Sequence, residues 1–338
     1  MSKWWEGSKG GGAAMTAYIL RRLGASVVML VLVSILIFVV LRLLPGDPTV
    51  TKVGAAQGID PKALLQLRTE LGLEDPIPVQ YWDWVTGLLS GDLGRSYFSQ
   101  FDVGSLIGAQ LGPTLELSLA GVLLAVLLAV VLSVLPTVLR SKWLGRIVGG
   151  YTTLGMAAPP FVFGIVLIAI FSAQLGILPA ENHVPLTEDP LANLRVLIMP
   201  ALTLGICLSA PLIRYLRASL AEVENSQHVR TAVGKGIPRR AVILRHVLPN
   251  ALLPALTSLG ITVGAVLSGA VVVEYVFRWP GLGSLIVDSV YKRDYAVIQS
   301  TVLLLAAVFV LVNLVVDLLY GVLDPRLRVR GSRKEAAA

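Results

Sequence analysis

A single cysteine, Cys207, in 338 residues excludes an intrachain disulfide framework, and its place inside an apolar run marks it as a small hydrophobe. Histidine is almost as scarce. His183, His228 and His246 stand apart from one another, with no H-E-x-x-H, no paired-cysteine spacing and no G-x-S-x-G elbow, so no metal site or hydrolase triad is legible. A phosphate-binding loop is missing too. Gly234-Lys235-Gly236 lacks both the upstream glycine spacing of G-x-x-x-x-G-K-[ST] and the hydroxyl that such a loop needs on Mg²⁺, so the chain is not expected to hydrolyse ATP or to hold a cofactor itself. Charge is sparse, at 14% of residues, against 55% hydrophobic residues and a mean hydropathy of +0.76. An ordinary soluble protein, with about 25% charged residues, is excluded.

What is present is a series of long apolar runs, at Leu23 to Leu41, Leu117 to Leu139, Gly155 to Leu175, Leu197 to Ile213, Ala251 to Val273 and Val297 to Leu319. Each is near the length of about 20 residues that crosses a bilayer, so six spans are expected in an all-α membrane protein. The first follows Arg21-Arg22 and lacks a small-residue cleavage site, which reads as an uncleaved span. Ahead of it the Gly-rich segment MSKWWEGSKGGGAA offers no structural signal, and Met15 is an alternative start. The third run is interrupted by Pro159-Pro160 and preceded by apolar residues from Ile147, which fits either a kinked span or a short cytoplasmic helix before it.

Basic residues set the expected orientation. With both termini, the Arg140 to Arg146 loop and the Arg214 to Arg245 loop inside, 19 of the 28 Lys and Arg are cytoplasmic and 9 external. The net charge of +7 is then a property of cytoplasmic loops, not of a nucleic-acid surface. Inside the spans almost nothing titrates. Asp317 suits an interhelical hydrogen bond better than proton transfer, and Glu274 and Arg278, near the outer end of the fifth span, are expected to pair. That disfavours a proton-coupled carrier, and it removes the clustered intramembrane acids or histidines that would have supported an autonomous channel or a membrane enzyme. The fifth span carries Gly260, Gly264 and Gly269 for close helix approach, while Ser258, Thr262 and Ser268 offer hydroxyls that either pack or line a translocation path.

Between Pro45 and Gly112 the composition turns polar, with Asp60-Pro61 opening a short helix and VQYWDWVTGLL following Pro78. Trp82 and Trp84 there read as interfacial anchors in preference to a ligand-stacking pair.

The stretch from Ser226 to Pro249, SQHVRTAVGKGIPRRAVILRHVLP, is the longest basic interruption between the last spans. Ser226 is an N-cap, a short helix runs to about Lys235, and Gly236 with Ile237-Pro238 stops the chain and restarts it. Val229, Ala232, Val233 and Gly236 fall at i, i+3, i+4 and i+7, one narrow face of small apolar groups. A lipid-surface helix carries larger apolar residues there. A merely solvated connector needs no apolar face at all, and a helix docked in another protein's groove suits small ones.

That segment resembles the cytoplasmic loop of bacterial ABC importer permeases, whose pattern is Glu-Ala-Ala, three residues, Gly, nine residues, then Ile-x-Leu-Pro. Ala232, Gly236, Leu248 and Pro249 match at that spacing, and the departures at Arg230, Thr231 and His246 resemble the dipeptide, oligopeptide and nickel branch. LLPGDP (Leu43 to Pro48), GDLGRS (Gly91 to Ser96) and the closing run from Gly269 to Arg328 are similar to the same branch. The resemblance implies a type I importer transmembrane fold with both termini inside. It divides the chain into a tail at 1–22, a first span at 23–44, an extracytoplasmic segment at 45–112, a transmembrane domain at 113–325 with its coupling loop at 214–250, and a basic tail at 326–338. It further implies a homologous second permease, two ATPase subunits that bind ATP and Mg²⁺, a substrate-binding protein outside, and no nucleic acid. Val229, Arg230, Thr231, Ala232, Val233, Gly236, Leu248 and Pro249 are then the expected ATPase-docking residues. Peptides are the expected cargo, with nickel or another small solute as the alternative.

Overall fold

The structure, a computed structural model, describes residues 9–43, 65, 68, 69, 72–181 and 183–323, with some side chains in 9–18, 253–268 and 316–323 outside that description. Among the described residues every named element is helical. The chain divides into two compact units, residues 1–103 with 292–338, and residues 104–291.

In the first unit, α1 (Lys9–Leu43) and α11 (Tyr295–Leu323) pack through Leu41, Tyr295 and Ile298. Helix α2 (Ile77–Ser90) starts beside Pro78 and stops at Gly91, whose φ of 87° is the left-handed C-cap that glycine accepts at least cost. Its Tyr81 and Trp84 stack around Phe38 of α1, with ring centroids 5.3 and 6.0 Å away, and Arg42 lies over the same ring. Trp84 is therefore a packing residue, while its neighbour Trp82 stays 66% exposed, as an anchor requires. The GDLGRS motif gains a physical reason. Gly94 takes φ 81°, and the buried Ser96 hydroxyl, with the Tyr97 amide at 2.9 Å, donates to the Asp294 carboxylate. Burial pushes the Tyr97 phenol above its ordinary pKa.

In the second unit, α3 (Val103–Leu139), α6 (Pro190–Glu224) and α9 (Leu248–Val276) are the long helices. Asp189 caps α6 by accepting from the Leu191 and Ala192 amides, and Pro190 fills the first position, where no amide is needed. Helix α6 is the core element. Val196, Met199, Leu204, Leu208 and Ile213 are buried among Leu117, Ala125, Val266, Val273 and Trp279. Contacts this close need glycine: a Cβ at Gly121 would meet Leu204 at 2.6 Å, and one at Gly205 would meet Leu124 at 2.9 Å. Gly269 on α9 repeats this against Leu204 at 3.1 Å, as its small-residue stripe predicts.

Four helices are long and apolar enough to cross a membrane among the described residues, at Ile19–Leu43, Val103–Leu139, Pro190–Glu224 and Tyr295–Val315. A bent pair is the fifth candidate. Helix α4 (Lys142–Ala157) meets α5 (Pro160–Leu167, continued as a π-helix over Ile168–Gln174) at 109°. The expected run from Gly155 to Leu175 is thus broken at Pro159-Pro160 into two helices, and by length and composition only the pair together is a candidate span. The fifth run, Ala251 to Val273, lies in α9, much of it among side chains outside the description, so the described residues carry four or five of the six expected spans.

Candidate functional site: the basic interhelical segment

Helix α6 runs eleven residues past the apolar stretch that ends at Ile213, and α7 (Gln227–Gly234) follows after Asn225 and Ser226. Ser226 occupies the N-cap backbone position, but its hydroxyl donates backward to the Val223 carbonyl at 2.6 Å and does not cap α7. Gly236 closes the turn at φ 76°, its amide donating to the Val233 carbonyl at 2.9 Å. The short helix α8 (Arg239–Val242) continues as a π-helix over Ile243–Val247 into α9.

The small apolar face expected to meet another protein is turned inward. Val229 is 3% exposed and Ala232 6%, both packed with Leu216 and Leu220 of α6 and with Val242, Ile243 and Val247. Val233, one residue on, is 59% exposed, and Arg230, Thr231, Gly234 and Lys235 are exposed with it. Gly236 lies beyond the end of α7 and belongs to no helix face. The reason is geometric: α6 and the Val242 to Val247 segment form a groove within this chain, and it takes the seam centred between Val229 and Ala232. Leu248 is half-buried in the same cluster, and Pro249 is exposed.

Arg239 holds the segment to two helices. Its guanidinium donates to the Thr137 carbonyl at the end of α3, at 3.2 and 2.9 Å, and pairs with Glu224 of α6 at 2.8 Å. The start of α8 is thus fastened to the ends of both long helices.

Residues 104–329 match the family described as "Binding-protein-dependent transport system inner membrane component", and residues 15–113 match its N-terminal companion. The chain belongs to this family. The permease is 38% identical over 316 residues to the glutathione transport system permease protein GsiC of Pectobacterium atrosepticum, covering 94% of this chain and 100% of the relative. GsiC of Salmonella typhimurium strain LT2 and of Escherichia coli K12 are 38% and 36% identical over the same shares. Among solved structures, a chain of the MetNI methionine ABC transporter in an inward-facing form superposes with a TM-score of 0.52 at 15% identity, covering 65% of this chain and 96% of that one. At that identity it shows the fold alone, the type I importer transmembrane fold. The permease is a multi-pass component of the inner membrane.

At the other end of α9, Glu274 and Arg278 do not pair. Glu274 is fully buried and accepts from the Thr114 hydroxyl at 2.7 Å and the Gly283 and Ser284 amides at 2.7 and 3.2 Å. Arg278 instead meets Glu181 at 3.3 Å on the exposed surface. Gly281 and Gly283 make room, since a Cβ at either would overlap the Glu274 carboxylate. Trp279 seals the site and donates through Nε1 to the Pro113 carbonyl at 3.0 Å. The run EYVFRWPGLG (Glu274 to Gly283) thus ties α9 and α10 (Leu282–Lys292) to α3, a tether that the glycine spacing alone did not reveal. Of the candidate path hydroxyls, Thr262 is 7% exposed within the second unit, and the side chains of Ser258 and Ser268 lie outside the description.

Proposed function

We propose that this permease is the transmembrane subunit of an ATP-driven importer for short peptides, in the size range of glutathione, delivered by a substrate-binding protein. The observation that carries the reading is the full-length match to glutathione permeases, which covers 100% of those relatives, including the segment ahead of the transport domain. In this reading a homologous second permease completes the path, and two separate ATPase subunits bind ATP and Mg²⁺. The exposed side of α7, with Arg230, Thr231, Val233 and Lys235, is the surface presented to an ATPase. Val229, Ala232 and Leu248 support it from within, and Arg239 links its displacement to α3 and α6. Ser258, Thr262 and Ser268 are proposed contributors to the path.

The test is uptake by the complete transporter in proteoliposomes with ATP on the ATPase side. Labelled glutathione and unlabelled di- and tripeptides should compete for one saturable, ATP-dependent process. Nickel uptake that no peptide inhibits would overturn the cargo assignment.

A further inference from the structure

Where α3 ends and α4 begins, the second unit gathers positive charge around a cavity of about 470 Å³. Arg140, at φ 50°, turns the chain between the two helices, and Lys142 and Arg146 follow on α4. Arg217 reaches in from α6 and donates to the Gly145 carbonyl at 3.3 Å. Arg239 lines the same cavity but is committed to Glu224, the one acidic group in the lining. No carboxylate among the described residues is within ion-pair distance of Arg140, Lys142, Arg146 or Arg217. Four cations with no carboxylate partner among the described residues line one concavity, an arrangement that calls for an anion.

The surroundings say which kind. Down α3, Leu115, Leu119, Leu123, Leu127, Val131, Leu135 and Leu139 recur every fourth residue, each between 44% and 61% exposed, and the row ends one residue before Arg140. Trp143, next to Lys142 in sequence, is 65% exposed. An apolar row the length of a span, a basic pocket where that row ends and an exposed tryptophan on the next helix suit the acyl chains, headgroup phosphate and interface of a membrane lipid. We propose that this cavity binds the phosphate headgroup of an anionic phospholipid, whose acyl chains lie along the exposed row of α3. A partner protein's acidic loop would satisfy the cations but would have no use for the apolar row leading to them.

The experiment uses the assembled transporter purified from membranes. Native mass spectrometry counts retained phosphatidylglycerol and cardiolipin in the wild type and in the Arg140→Gln/Arg146→Gln variant. Thermal melting is then followed while phosphatidylglycerol, phosphatidylcholine or inorganic phosphate is added. Loss of two charges should cut anionic-lipid retention by about tenfold or more, leave the assembly intact on gel filtration, and abolish the extra stabilisation by phosphatidylglycerol over phosphatidylcholine. Equal retention by both proteins would overturn the proposal. So would inorganic phosphate reproducing the lipid's effect, which would make the site one for free anions. Loss of the ATPase subunits from the variant with lipid retention unchanged would assign the cations to a protein partner instead. Lys142→Gln serves as a milder second variant, expected to lose part of the retention.

Discussion

Ala232 and Val233 are adjacent and have opposite environments, so the pair separates support of α7 from contact with a partner. Ala232→Asp drives a carboxylate among Leu216, Leu220, Val242 and Ile243, where an uncompensated charge costs several kcal/mol. Val233→Asp changes a surface residue, and its effect on folding should stay within about 0.5 kcal/mol. In the complete transporter the first variant should lower the melting temperature, while the second should melt like the wild type and lose most of its bound ATPase. If Val233→Asp retains the ATPase in full, the exposed side of α7 is not the docking surface. Gly236 gives a second prediction. Nothing lies within 4 Å of a Cβ built there, so the penalty comes from the positive φ; Gly236→Ala should cost about 1–2 kcal/mol, and the β-branched Gly236→Val more, because its methyls crowd its own backbone in that conformation. An alanine variant that melts like the wild type would mean that the turn does not depend on the left-handed conformation at Gly236.

At the scale of elements, Arg239 is where α7 and α8 are fastened to the long helices. The pair with Glu224 is about a third exposed, so its share of stability is modest, about 1 kcal/mol at most. Its positional share is larger, because the same guanidinium grips the Thr137 carbonyl in the last turn of α3. Arg239→Ala should leave ATPase binding and hydrolysis in the assembled transporter nearly unchanged and lower uptake, raising the ATP consumed per molecule imported. Equal losses in both would mean that Arg239 only stabilises the assembly. Element identity was largely legible in the sequence, since apolar runs of span length and the Ser226 to Pro249 punctuation, with Gly236 in the left-handed region, need no tertiary information. Boundaries were less so. Hydropathy stops at Ile213, but nothing in Arg214 to Glu224 breaks a helix, and α6 continues through it. The inward turn of Val229 and Ala232 was not legible at all, because small apolar residues at helical spacing fit a groove in their own chain as well as one in a partner. The same limit hid the Glu274 tether, whose donors on Thr114 and Gly283 are far apart in sequence.

At the scale of the molecule, orientation follows from counting, and it can be checked without any partner. The basic residues divide 19 against 9 when both termini and the two basic loops share the cytoplasmic side, and the geometry groups those loops in space. Arg140, Lys142 and Arg146 from one loop and Arg217 and Arg239 from the other line one cavity, so they must occupy the same side of the membrane. Glu188, before α6, is 36 residues from Glu224 along the chain, and the 35-residue helix between them is about 50 Å long at 1.5 Å per residue, more than the ~30 Å hydrocarbon core. It therefore belongs to the opposite side. A reporter active only in the cytoplasm should work when inserted after Arg140 or fused after Arg330, and should be silent when inserted at Glu188. Activity at both Arg140 and Glu188 would break the assignment of α6 as a single span, whereas silence at Arg140 and Arg330 with activity at Glu188 would invert the orientation and leave the helices standing.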